Sequence, residues 1–215
     1  MRPGLAGDAA GLPEVAAMSR RLGDLYRVLE RALLLAHTVI ARPRFAAWGA
    51  RSRLGLGAML DSPKLVVVGA NVEIGRHAWL NAVDDRGDGL PNLRIGNGTY
   101  IGRFAHINAW RDVVIGENVL IADRVFISDC SHDFSARDVP IRHQGDVFVG
   151  PVVLGDGCWI GVGAVIMPGV TVGRNAVVGA NAVVTRDVPD FAVAAGVPAI
   201  LLRPGSPTNQ DGSNH

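Results

Sequence analysis

Between residues 149 and 185 an aliphatic side chain returns at every sixth position: Leu154, Ile160, Ile166, Val172, Val178 and Val184. Glycine follows four of them directly, at Gly155, Gly161, Gly173 and Gly179. Four places after each aliphatic stands Cys158, Ala164, Val170, Ala176, Ala182 or Val188. A helix buries residues at a period of about 3.6 and a half-buried strand at a period of about 2, so neither alone gives a six-residue beat. The pattern predicts a solenoid of short strands and tight turns, each aliphatic entering a narrow core with room for only small residues beside it. The 27 glycines in 215 residues, against a usual share of about 7%, fit a chain made largely of turns.

The beat begins further upstream, in triplets: Val68, Ile74 and Leu80, then Ile95, Ile101 and Ile107, then Ile115, Ile121 and Ile127. It resumes at Phe148 on this reading. Every break follows a third member, with nine extra residues before Ile95, two before Ile115 and fifteen before Phe148. If three hexads close one triangular turn, all the breaks leave from one edge of the prism, on turns stacked about 4.8 Å apart. The hexad's fourth position is Asp84, Arg111 or Ser131 where these breaks begin, and a repeat abandons its packing rule where another requirement intervenes. The longest break opens with the most concentrated polar run in the chain, Ser128-Asp129-Cys130-Ser131-His132-Asp133.

Outside the solenoid, apolar residues from Leu22 to Ile40 fall at helical spacing, which predicts an amphipathic helix over 18–41, ended by Pro43 and packed on the solenoid or a neighbouring subunit. The predicted organisation is an N-terminal extension (1–63), a solenoid domain (64–190) with loops at 83–92 and 132–147, and a C-terminal extension (191–215) with a disordered tail after Pro204. The net charge of +1 gives no case for nucleic acid or an anionic membrane as main partner. Two cysteines cannot make a disulfide framework, no secretory leader is visible, and no run reaches the roughly 18 apolar residues of a membrane span. A soluble protein of the cytoplasm is the expectation.

His132 is the first candidate for chemistry. It lies where the chain leaves the regular turn, and imidazole accepts a proton close to neutral pH. Asp129 or Asp133 could orient it. Buried in the small-residue slot, Cys158 reads as structural, and Cys130 is closer to the candidate site.

The repeat, together with Ser131-His132-Asp133, Pro140-Ile141, Trp159-Ile160-Gly161 and Val183 through Val188-Pro189, resembles the hexapeptide acyltransferases, in their galactoside and maltose O-acetyltransferase branch and the related enzymes of surface polysaccharide synthesis. The resemblance covers roughly residues 64 to 203. It implies an all-β fold, a left-handed parallel β-helix with an N-terminal α-helix, against the usual right-handed crossover. It also implies a homotrimer with sites between subunits, acetyl-CoA as donor and a sugar or glycan hydroxyl as acceptor. His132 matches the family's catalytic base and Trp159 the tryptophan that lines the pantetheine channel, while Gly161, Ala180, Thr185, Arg186 and Arg203 match cofactor contacts. Asn108 matches an acceptor contact in one register, and a second register places Gly102 there. Asp84, in the first insertion, is a further acceptor candidate.

Three other functions compete. N-acylation of an amino sugar would use the same base and groove with different acceptor loops. A zinc hydratase on a similar β-helix would need three converging histidines, and the H-x4-H spacing expected of it is missing, so no metal site is expected. A non-catalytic scaffold would be favoured by uninterrupted hexads, which this chain does not have.

Overall fold

The computed structural model describes residues 12–204, with side chains from residue 21 onward. The expected disordered tail lies outside the described residues. Hexads 48, 54 and 60 already form a first coil, and the chain then winds through five more coils of three short strands, each strand pairing in parallel with its counterpart one coil away. Three flat faces result. Face I contains Val66–Val68, Leu93–Ile95, Val113–Ile115 and Val152–Leu154; face II contains Tyr100–Ile101, Leu120–Ile121 and Trp159–Ile160; face III contains Trp79–Ala82, His106–Ala109 and Phe126–Ser128.

The aliphatic columns lie inside as expected. Ile74, Ile101, Ile121 and Ile160 on face II and Leu80, Ile107, Ile127 and Ile166 on face III have almost no exposure, and Ala78, Ala105, Ala164 and Ala182 fill the small slots beside them. Each such aliphatic contributes about 1.5–3 kcal/mol when taken from water into the core. Stacking also dictates the glycines at two corners of the prism. A Cβ on Gly96 would sit 2.5 Å from the carbonyl carbon of Gly116, and one on Gly161 would sit 2.6 Å from the amide nitrogen of Ala180.

All three interruptions leave from the corner between face III and face I, as the spacing predicts. Several boundaries differ from expectation. The solenoid starts at Ala47 rather than 64, because Trp48, Leu54 and Leu60 continue the beat with Gly49 and Gly55 behind the first two. The beat resumes at Leu154 rather than Phe148: Phe148 belongs to Asp146–Phe148, which pairs antiparallel with Cys130–His132 outside the prism. Past the sixth coil, Val188 bridges Val172, and Val193–Gly196 pairs with Val177–Val178 before Ala199–Arg203 turns back antiparallel, so residues 191–203 extend the solenoid.

The helix runs from Leu12 to Ala41, six residues earlier than expected. Pro13 sits in its first turn, where a missing N–H costs nothing. Its C-terminal end caps the open end of the first coil. There the Leu54 N–H donates to Thr38 Oγ1 at 3.0 Å and the Leu54 carbonyl accepts from His37 Nδ1 at 3.3 Å, so an otherwise unpaired strand edge is satisfied. Ile121→Ala, in the middle of the core, is expected to lower the unfolding free energy by about 2–5 kcal/mol, read from the denaturant midpoint.

Candidate active site

The chain leaves face III at Ser128 and enters a β-hairpin, Cys130–His132 against Asp146–Phe148. Asp129 fixes the hairpin's root. Its fully buried carboxylate accepts the N–H groups of Trp110 (2.8 Å), Arg111 (2.8 Å) and Asp112 (2.9 Å), the turn made by the two-residue insertion one coil below. Its carbonyl accepts from Val149 at 3.0 Å, where the hairpin's second strand returns. Arg111, the misfit at hexad position four, joins the insertions: its Nε donates to Asp85 Oδ2 at 2.5 Å and its guanidinium lies 4.9 Å over the Phe148 ring. The hairpin's far end is closed by Gln144, which donates to the carbonyls of Ala136 (2.9 Å) and Val139 (2.7 Å).

His132 lies opposite Asp146 in the hairpin, and its Nδ1 is paired with Asp146 Oδ1. A carboxylate only accepts, so Nδ1 carries the hydrogen and the Nε2 lone pair stays free. Neither aspartate considered from sequence does this. Asp129 is committed to three amides, and Asp133 accepts from Ser135 N at 2.9 Å, a backbone hydrogen bond that holds its carboxyl below the usual range. Asp146 was missed because an antiparallel hairpin partner fourteen residues away leaves no mark in a six-residue periodicity.

His132, with Met167 and Pro168, separates two clefts. One, of about 330 Å³ and the more polar of the two, is lined with Asn81, Asn108, Ser128 and Asp146 together with Trp110 and Phe126, and Asn81 Nδ2 donates to Asn108 Oδ1 at 3.1 Å. The other, of about 530 Å³, is mainly apolar, with Phe134, Val147 and Val149, and extends to Thr185. Below the polar cleft, His106 is stacked on Trp79 (4.2 Å) and edge-on to Phe126 (5.3 Å), and burial lowers its pKa. Burial raises the Cys130 thiol and pushes Cys158 up to about 12, so both cysteines favour the protonated form.

The remaining expected residues divide between places. Asn108 lies in the polar cleft, whereas Gly102 is at a glycine corner against Ala122. Asp84 lines neither cleft: it is exposed and accepts from Gly89 N within its own loop at 3.3 Å, and its neighbour Asp85 makes the link to Arg111. Of the cofactor set, Thr185 alone shares a cleft with His132. Arg186 follows it, beside the C-terminal hairpin. Trp159 and Arg203 are on face II, and Gly161 and Ala180 form the corner between faces II and III. One chain therefore holds two separate groups of these residues. Among the described residues no three His, Cys, Asp or Glu side chains are grouped so as to hold a metal ion.

Residues 151–186 match the family model described as bacterial transferase hexapeptide (six repeats). The chain carries that hexapeptide repeat. Galactoside O-acetyltransferase of Escherichia coli K12 is 34% identical over 150 residues, which cover 70% of this chain and 62% of that protein. A galactoside acetyltransferase solved in complex with coenzyme A superposes with a TM-score of 0.56 at 28% identity, covering 77% of this chain and 68% of that one. AntD, an N-acyltransferase from Bacillus cereus solved with dTDP and 3-hydroxybutyryl-CoA, superposes with a TM-score of 0.66 at 20% identity, covering 79% of this chain and 88% of that one, a likeness of fold alone. The hexapeptide chain spans about half the length of the curated relatives it matches. Its fold is the left-handed parallel β-helix.

Asp129→Ala would leave three inward-facing amides without an acceptor. A loss of about 3–5 kcal/mol of stability is expected, with hydrogen exchange at residues 110–112 accelerated well beyond that of neighbouring amides.

Proposed function

We propose that the chain is an acetyl-CoA-dependent O-acetyltransferase that acts on a hydroxyl of a sugar or surface-polysaccharide precursor. The observation that carries this reading is His132, with its Nδ1 occupied by Asp146 and its Nε2 free, standing between a polar cleft and an apolar one. A sugar hydroxyl is a poor nucleophile and needs a positioned base, worth about 10²–10⁴-fold in rate.

In this mechanism the Asn81–Asn108 pair holds the acceptor's hydroxyl groups, and His132 Nε2 takes the proton of the attacking hydroxyl as its oxygen bonds to the thioester carbonyl carbon. Collapse of the tetrahedral species breaks the carbon–sulfur bond, and the imidazolium returns the proton to the departing thiolate. Asp146 stabilises the intervening imidazolium and keeps the ring in the productive tautomer. The apolar cleft receives the acyl group and the end of the pantetheine arm, with Thr185 at its edge, while Arg186 and Arg203 offer cations to the phosphates.

A homotrimer with sites between subunits belongs to the same proposal. The two groups of candidate cofactor residues occupy different faces of one protomer, and a cyclic assembly joins unlike faces of successive subunits. Rotation about a threefold axis would bring Trp159, Gly161 and Ala180 of one copy toward the His132 cleft of the next.

The test is thiol release from acetyl-CoA, screened against sugars and amino sugars. A hydroxyl acceptor is expected to turn over and His132→Ala to lose about 10²–10⁴-fold in kcat, whereas full turnover by that variant refutes His132 as the base. Asp146→Asn, which can present an amide N–H to Nδ1, is expected to lower kcat at least about tenfold with little change in KM for the acceptor. Turnover confined to amine acceptors would assign N-acylation instead.

A further inference from the structure

The N-terminal helix extends past the body that it caps. Every described residue from 21 to 29 is exposed, and the helix meets the solenoid only further on, through Glu30, Leu34, His37, Thr38 and Ala41. Leu22, Leu25, Tyr26, Leu29, Leu33 and Ile40 form one stripe along it, each more than half exposed. Val28, Leu35 and Val39 are also exposed and widen that stripe on one side. At 100° per residue the apolar arc covers roughly half of the helix circumference, facing away from the solenoid. A coiled-coil seam to one partner helix uses a narrower stripe, about two positions in seven.

Charge is divided as sharply. Residues 1–80 contain eleven Lys or Arg against six Asp or Glu, net +5, and residues 81–215 contain ten against fourteen, net −4. The whole-chain value of +1 hides this division. On the helix and the first coil, Arg21, Arg31, Arg42, Arg44, Arg53 and Lys64 are all exposed. A wide apolar face with an aromatic residue and flanking arginines is the composition of a helix that lies in the plane of an anionic bilayer. The helix is not long and apolar enough to cross one.

We propose that this helix docks the protein on an anionic lipid surface, with the stripe from Leu22 to Leu33 sunk into the boundary between headgroups and acyl chains and the basic end of the solenoid facing the headgroups. Binding then has two parts. The apolar part follows buried area, and the electrostatic part adds roughly one kcal/mol per basic residue near the surface and fades with salt. The inference is independent of the acyl-transfer reading and stands or falls separately from it.

Co-sedimentation of the full chain with vesicles tests it. Vesicles of equal parts phosphatidylglycerol and phosphatidylcholine are expected to bind at least about tenfold more tightly than phosphatidylcholine alone, with the difference shrinking as salt is raised. Leu25→Glu with Leu29→Glu should abolish binding while leaving the solenoid's thermal midpoint unchanged, because these residues touch nothing in it; Arg21→Glu with Arg42→Glu should weaken binding to the anionic vesicles alone. The proposal is overturned by absence of binding to either vesicle, by equal binding to both, or by a fall in oligomeric mass in the leucine variant, which would assign the stripe to a second copy of the chain.

Discussion

The spacing between coils governs this molecule. Successive coils stack at strand-pairing distance, so at two corners of the prism the backbone of one coil lies against the Cα of the next, with no space for a side chain at Gly96 or Gly161. The third corner is less bound by that requirement, and on three coils the chain departs there instead of turning tightly. After the inward aliphatic on face III stand Asp61, Asn81, Asn108, Ser128, Met167 and Thr185, where the other two faces mostly have glycine. A single packing constraint thus divides the solenoid into two corners built mostly of glycine and one that carries larger side chains. Four of those six residues line the clefts around His132 directly, and Thr185 closes the end of the apolar one.

That division also decides what could be read from sequence. The aliphatic columns, the small slots and the shared exit corner all follow from the period, because each repeats in every coil. Asn81 was equally legible in principle, as the residue at which glycine is replaced one coil before Asn108, but it emerges only once hexads are sorted by face. The first coil escaped because Trp48 and Leu60 are less regular members than the isoleucines that follow. Phe148 misled for the opposite reason: an aromatic residue happened to keep the beat while it belonged to a hairpin outside the prism. Asp146 could not be found by period at all, since antiparallel pairing inside an insertion follows the hairpin's own register.

The insertions act as one body, which explains how an exposed histidine can have a fixed direction. His132 has a side chain 78% exposed, and a free surface imidazole would sample several rotamers. Here the strand that carries it is tied to a neighbouring coil by Asp129, to the first insertion through Arg111 and Asp85, and to its own return strand by Asp146. A buried carboxylate satisfied by three amides is far stiffer than a surface ion pair, so positional precision comes from Asp129 and the exposed His132–Asp146 pair supplies orientation.

The two ends of the prism meet different demands. At the first coil the helix satisfies the free polar groups of Leu54 with Thr38 and His37, and it has apolar surface left over. At the last coil Ala199–Arg203 folds back along Val193–Gly196 and leaves Ile200, Leu201 and Leu202 exposed. Capping a parallel strand edge requires hydrogen-bond partners, and neither cap needs the broad apolar surface that it displays. That surplus is separate from folding. At the helix it coincides with the basic half of the chain, whereas at the C-terminal hairpin it lies beside Arg186 and the end of face II.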